Sequence, residues 1–393
     1  MKIKGFAIIL NLFILSVITG CNLLPEASSL ISAPNYPKAA EDNSDIKLVA
    51  KSFLPNGARF LYPVNPKGVD AVQLVDIDGD GQDEIFVSYK DNSAGSGWGA
   101  ILLKKSNGEW HEIWNDEYMV NIIGLDWAHF IDITGDKIPE LLLGWNMGFE
   151  VGYNLDITSF KGTPKKVFSI NYNEMDITNI SGNENEKKPE IILTRKEPDQ
   201  REINVPPLVL RWDEDSLVPA EDAYYVYFKD MINALEESNR LYDRTFLNWY
   251  NLSEMQVKSK KSLDAIKSAD RALSIIPPHY EKYRIKLEIY KAEALIQVGK
   301  FSEGMNILNN IIYRNDTSQI GCTQDELAAV YLNLGRAYMG LKDYKTAKSK
   351  YSQSYDIIKF AYGEGTELFK LNSFTVKKEI AQLNALTQII NYN

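Results

Sequence analysis

The chain has 393 residues, 45% of them hydrophobic and 24% charged. That composition belongs to an ordinary globular protein of two or three domains and excludes wholesale disorder or a multi-span membrane protein. Its 53 acidic against 43 basic residues give a net charge of −10 and a pI near 5.1, the wrong sign for neutralising phosphates, so no nucleic-acid partner is expected. Two cysteines exclude a disulfide-rich scaffold.

Residues 1–20 carry Lys2 and Lys4 and then an apolar run from Gly5 to Val17, broken only by Asn11 and Ser16. The run is too short to span a bilayer and reads as a secretion signal. It closes on Ile18-Thr19-Gly20-Cys21, which resembles the lipobox of bacterial lipoproteins, in which the cysteine receives the lipid. The resemblance implies cleavage before a lipidated Cys21 and an exported chain anchored to the bacterial cell membrane or envelope. It also accounts for a cysteine that would otherwise stand unpaired on an exported chain. Residues 21–45, with Pro25, Pro34 and Pro37 among small polar residues, show no hydrophobic period and read as a flexible tether.

From residue 46 to 225 an acidic loop repeats. Asp76-Ile77-Asp78-Gly79-Asp80-Gly81-Gln82-Asp83-Glu84 is matched by Asp132-Ile133-Thr134-Gly135-Asp136-Lys137-Ile138-Pro139-Glu140, and a degraded third copy runs from Asn179 to Leu193 with an insertion. The first two copies share an acid at positions 1, 5 and 9, isoleucine at 2 and glycine at 4, followed by an aliphatic strand. Alternate oxygen donors on a tight glycine turn suit a hard cation such as Ca²⁺, which takes six to eight oxygens. The first donor set is Asp76, Asp78, Asp80, the carbonyl of Gln82, and Glu84; the second, weaker set is Asp132, Thr134, Asp136, Ile138 and Glu140. The competing reading is that Asp-Gly loops are simply good turns, each aspartate capping its own backbone. An EF-hand is excluded because position 12 is Val87 and strands, not helices, flank the loop.

The loops and the strands around them resemble the FG-GAP/VCBS family, whose β-propeller blades carry such a loop between their first two strands. The resemblance implies three blade-like strand sets, in a minimal ring or an open fragment, with calcium in a structural role. A further strand pair is placed in Ile46–Tyr62. Six of the seven tryptophans fall in this half, which suits packed sheet faces.

Past residue 225 the charge changes sign: residues 226–393 hold 23 basic against 19 acidic residues (+4), while residues 22–225 sum to −16. Apolar residues now recur at helical spacing. Tyr331-Leu332-Asn333-Leu334-Gly335-Arg336-Ala337-Tyr338, followed by Tyr344, Ala347 and Tyr351, resembles the tetratricopeptide pattern. The resemblance implies about three helix pairs over 226–360. Gly335 and Ala347 would lie at the close crossing of one pair, and Tyr338 and Tyr351 between pairs. A capping helix follows from about Phe374 to Ile390. The expected fold is thus multidomain, β then α: partial or small propeller-like repeats followed by a helical solenoid.

No catalytic constellation is apparent. His111, His129 and His279 are scattered singly, Cys322 adjoins a capping box at Thr323–Glu326, and no phosphate loop, nucleophile elbow or zinc motif occurs. The expected function is a non-enzymatic, membrane-anchored surface lipoprotein that binds or scaffolds a protein or peptide through the concave side of its helical repeats. Lys291 and Arg336 are the candidate contacts there. The alternative is a metal-assisted hydrolase of the cell envelope or an extracellular polymer.

Overall fold

The computed structural model describes residues 38–39, 44–92, 97–118, 122–148, 151–180, 188–197, 200–204, 206–243, 245–316 and 321–392. The signal segment, Cys21 and most of the expected tether lie outside these residues. Residues 38–393 belong to one unit. Among the described residues no helix is long and apolar enough to cross a membrane.

Three antiparallel sheets follow one another, each a meander in chain order. The first is built on β3 (Val72–Val75), β4 (Glu84–Lys90), β5 (Trp98–Ser106) and β6 (Glu109–Tyr118), with β1 (Lys38–Ala39) added beside β3 and β2 (Arg59–Phe60) beside β4. The second holds β7 (Gly124–Ile131), β8 (Glu140–Asn146), β9 (Tyr153–Ser159) and β10 (Lys165–Tyr172). The third holds β11 (Glu174–Thr178), β12 (Glu190–Thr194), β15 (Leu208–Asp213) and β16 (Ser216–Pro219). A small hairpin, β13 (Lys196–Glu197) and β14 (Gln200–Asn204), is inserted between β12 and β15. These are the three expected strand sets.

Period-2 alternation sends each sheet's side chains to two different cores. In the first sheet Ile85, Val87, Ile101 and Leu103 point to one side, Phe86, Ala100 and Leu102 to the other. The latter meet Ala128, Phe130, Leu141, Leu143 and Trp145 of the second sheet. The second sheet's opposite face, with Leu142, Leu155 and Ile157, packs on Ile191, Leu193, Leu210 and Trp212 of the third. None of the core clusters of described residues joins the first sheet to the third, so the sheets form an open stack and no closed ring.

Both outer faces of the stack are covered by helices. On the first sheet lies α1 (Ser44–Ser52), which with the turn after it contributes Ile46, Val49, Ala50 and Phe53. The expected strand pair in Ile46–Tyr62 is therefore corrected: these four apolar residues recur at helical spacing, and only Arg59–Phe60 is extended. The bound of residue 45 expected for the tether also does not hold, because Lys38–Ala39 already pairs with Gln73 and Leu74 and α1 starts at Ser44. On the third sheet's far face, Ile192 and Val209 meet Phe228 and Ile232 of α2 (Tyr224–Leu241) and Leu252 and Met255 of α3 (Phe246–Lys258).

The helical half contains three antiparallel pairs, α3 with α4 (Ser262–Ile275), α5 (Arg284–Gln297) with α6 (Phe301–Asp316), and α7 (Gln324–Gly340) with α8 (Tyr344–Tyr362). A long helix, α9 (Glu367–Tyr392), ends the chain. The capping box expected at Thr323 and Glu326 opens α7: Glu326 N donates to Thr323 Oγ1 and Thr323 N to Glu326 Oε2. At the crossing of α7 and α8, a Cβ on Gly335 would overlap the Tyr351 ring. Tyr351 therefore fills its own pair, where the sequence pattern had placed it between pairs.

The last helix starts earlier than expected because Phe369 and Leu371 are buried, and they go to different cores. Leu371 joins the core shared by the second and third sheets; Phe369, Val376 and Leu383 join the core of α7 and α8. Lys370 with Asp215 and Lys378 with Glu221 add ion pairs across the same junction.

Candidate cation loops and the helical cleft

The first two acidic loops share five hydrogen bonds, position for position. Position 1 accepts the N–H groups of positions 4 and 6: Asp76 from Gly79 and Gly81, Asp132 from Gly135 and Lys137. Position 3 accepts from 5 and position 5 from 7, through Asp78 and Asp80 in one loop and Thr134 and Asp136 in the other. Position 9 reaches back to position 2, Ile77 N donating to Glu84 and Ile133 N to Glu140 at 3.0 and 3.2 Å. The third copy keeps this last bond, from Ile180 N to Glu190 at 2.7 Å. Each closing glutamate is buried. It ties the start of one strand to the loop that precedes it, which explains why each of the three repeats closes on a glutamate.

The first loop brings together the residues singled out for a cation. Asp76, Asp78 and Glu84 each offer a carboxylate oxygen, and these oxygens lie within 4.8 Å of one another. The ammonium of Lys104, on β5, reaches into the same cluster at 2.5 Å from Asp78, 2.8 Å from Asp80 and 2.9 Å from Glu84. Hydrogen bonding to Asp78, Asp80 and Glu84 holds the ammonium's pKa well above the ordinary lysine value. The same contact lowers the Asp80 carboxyl, whereas burial raises Glu84 despite its bonds to Ile77 and Lys104.

The second loop is differently provided. Lys161 pairs with Asp136 at 3.0 Å from an exposed position, and the residue across the ladder from Glu140 is the uncharged Ser159, its hydroxyl at 3.4 Å. Burial pushes the Glu140 carboxyl up to about 7. In the third repeat Arg211, on β15, donates to Glu190 through Nε at 2.9 Å and through Nη2, and its Nη1 holds Asp222.

Lys104, Ser159 and Arg211 were not legible from the motif, because strand pairing brings them to the loops. Ile85 pairs with Leu103, Leu141 with Thr158 and Ile191 with Leu210. One residue further along, the closing glutamates Glu84, Glu140 and Glu190 therefore face Lys104, Ser159 and Arg211. The available signal was a basic residue about 20 positions after the glutamate in the first and third repeats.

In the helical half neither candidate contact is a free cation. Lys291 pairs with Asp270 at 2.6 Å. Arg336, half-buried on α7, holds Glu379 of α9 at 2.7 Å and Glu293 of α5 at 3.0 Å. Beside it lies a cleft of about 340 Å³ between the A helices, β16 and α9, lined by Lys258, Glu293, Leu332, Arg336 and Asn372 among others. A larger cleft of about 640 Å³ runs between the third sheet and α9, with Lys188, Trp212, Glu221 and Phe374 on its walls. His129 is buried on β7, and burial pushes its pKa down to about 4, so it is neutral. Burial raises the Cys322 thiol above its ordinary value, which disfavours the thiolate.

No protein-family model matches the chain, and no curated protein matches it. Among solved structures, the apo form of RapI is similar at 18% identity over 44% of this chain, with a TM-score of 0.29. Two structures of MamA, one a double mutant of the RS-1 protein and one the 41-end form from Desulfovibrio magneticus RS-1, are similar at 15% and 16% identity. They cover 42% and 41% of this chain and 88% and 85% of their own lengths, each with a TM-score of 0.26. The chain spans 58% of the length of RapI.

Proposed function

We propose that the chain is a non-enzymatic, exported lipoprotein, held at a bacterial membrane or envelope through Cys21, which binds or scaffolds a protein or peptide partner. In this reading the β half consists of FG-GAP/VCBS-like repeats and the helical half is a short tetratricopeptide-like solenoid. The observation that carries the reading is the cleft of about 340 Å³ on the A-helix side of the pairs, where polar and apolar side chains converge from seven elements. Stacked helix pairs create such extended surfaces, and grooves between them accept extended or helical segments.

Calcium is proposed as a structural cation of the first loop, held by Asp76, Asp78, Asp80, the Gln82 carbonyl and Glu84. The donor set fits: four carboxylates and a carbonyl are hard oxygen ligands, and the Lys104 ammonium already stands among them as a monovalent counterpart. Bound there, the ion would hold the turn between β3 and β4 closed; it would have no reacting group to serve.

The test is cross-linking and capture from envelopes of the producing cell. The full mature chain is the right bait, since the two halves share core residues such as Leu371 and a 226–393 fragment would expose them. An envelope protein captured by the wild type and lost with Asn372→Trp, which fills the cleft from an exposed position, supports the reading. An identical set of captured proteins from both forms removes the cleft as the binding surface. Recovery of wild-type protein in the soluble fraction with an unmodified Cys21 removes the anchor.

A further inference from the structure

We infer that Lys104 is the resident cation of the first acidic loop, and that a calcium ion enters this loop only by displacing the lysine ammonium. The inference rests on the calcium reading above and adds the residue that opposes it. Three carboxylates lie 2.5–2.9 Å from Lys104 Nζ, and oxygens surround a bound Ca²⁺ at about 2.3–2.6 Å. A cage of that size accepts either cation but has no room for both.

The three repeats form an internal series at one register position. In the third, the residue facing the closing glutamate is Arg211, whose guanidinium is fastened on one side by buried Glu190 and on the other by Asp222. That cation is fixed in place at both ends. In the second, the position is Ser159, which brings no charge. In the first, Lys104 carries its charge on a flexible stem with 27% of the side chain exposed, so the ammonium has water to retreat into. A compact ammonium makes point-charge contacts from rotatable donors, whereas a guanidinium locks into a planar fork. At this register position the series thus runs from an exchangeable cation through none to a permanent one, and among the described residues only the first loop has both the carboxylate cage and a removable occupant.

The buried Glu84 supplies the reason for an occupant. Its carboxylate is 1% exposed and faces Asp78 and Asp80 in the same cluster, so an ionised Glu84 requires a counter-charge in the absence of metal. Lys104 provides it from the paired strand, which lets the loop fold before any metal binds.

Calorimetric titration of the full mature chain with CaCl₂, at one pH and ionic strength, compares the wild type with Lys104→Met. The methionine keeps the apolar stem and removes the charge. The expected result is calcium binding at least tenfold tighter in Lys104→Met, abolished when Asp78→Asn is added, which assigns the heat to this loop. Equal affinity in the two proteins overturns the exchange and leaves the calcium reading standing. No binding heat in either overturns the calcium reading and the exchange with it. If Lys104→Met does not fold in EDTA, refolding in calcium supports the inference. Failure of both Lys104→Met and Lys104→Gln to fold with or without calcium shows a lysine no metal can replace, and overturns it.

Discussion

Arg336 Nε donates to Glu379 Oε1 at 2.7 Å, a contact that ties α7 to the terminal helix beside the apolar packing of Phe369, Val376 and Leu383. The other arm of the guanidinium donates to Glu293 on α5 at 3.0 Å and to Asn333 at 3.2 Å. Glu379 in turn accepts from the Tyr351 hydroxyl. A single side chain on α7 thereby joins α5 and α9, and through Glu379 it is linked to α8.

Replacing Arg336 by methionine should therefore destabilise the protein by about 2–4 kcal/mol, since it leaves two half-buried carboxylates without their counter-charge. Arg336→Glu should cost more, because it adds a third acid to the same place. Urea unfolding of the full chain measures both. A loss below about 0.5 kcal/mol for Arg336→Met would return the residue to the class of surface charges and reopen it as a partner contact.

Gly335→Ala should cost about 1–3 kcal/mol, the range for overfilling a packed crossing. A methyl at this position would run into the Tyr351 ring, which is fully buried and has no space to retreat into. Ordinarily glycine to alanine inside a helix is favourable by up to about 1 kcal/mol, so the sign of the measured change separates close packing from helix propensity. Combining the change with Tyr351→Leu should recover part of the loss, which a double-mutant cycle detects.

Much of this architecture was legible because it is local. The three strand sets were expected from the repeated Asp-Gly loop and the resemblance it carries to propeller blades, and the helix pairs from the resemblance of residues 331–351 to the tetratricopeptide pattern. Most of the missed features depend on long-range pairing. Helix α1 is short, and its apolar residues make sense only against Ile85 and Leu103. The β13–β14 hairpin interrupts a sheet without altering its order. Lys104 and Arg211 reach their acids across a strand ladder whose register no motif encodes. Arg336 lies on α7, but its partner Glu379 is 43 residues away, and only the fold of α9 brings it near.

The two acidic loops also carry an internal experiment on backbone strain. At position 6 the φ angle is +84° for Gly81 and +75° for Lys137, both left-handed. A left-handed non-glycine residue costs about 1–2 kcal/mol, while glycine loses roughly 0.5–1 kcal/mol of unfolded-chain entropy. Lys137→Gly should therefore stabilise the protein by about 0.5–1 kcal/mol net, and Gly81→Lys should destabilise it by a similar amount. Thermal melts of both variants in EDTA, which removes any cation effect, decide the matter. The position-1 bonds to Asp132 and Asp76 are made by the main chain and survive either change.

Two neighbouring strands carry buried groups whose pKa values are shifted in opposite senses, and their contributions to the pH dependence of stability oppose each other. His129 on β7 has a folded pKa of about 4 against 6.5 unfolded, because burial disfavours its charge. Its contribution to stability is complete above pH 6.5 and is lost as the pH falls toward 4. Glu140 on β8 has a folded pKa of about 7 against 4.5 unfolded, again through burial. Its sign is reversed: the folded state holds the proton more tightly, so stability is greatest below pH 4.5 and declines as the pH rises through 7. Between pH 4.5 and 6.5 the two slopes oppose each other. His129→Gln should uncover a protein that grows more stable as the pH falls through this window. Glu140→Gln should uncover one that grows less stable, and it should exceed the wild type at pH 8 by about 1–3 kcal/mol, since each pKa unit is worth about 1.4 kcal/mol. The glutamine retains a carbonyl for the Ile133 N–H, so the loop-closing bond is kept and the charge alone is removed. Urea midpoints at pH 4.5, 6.5 and 8, taken in EDTA for the three proteins, give the slopes. A Glu140→Gln protein no more stable than the wild type at pH 8 would mean that the buried carboxylate already has a counter-charge, with the second loop then resembling the first and third.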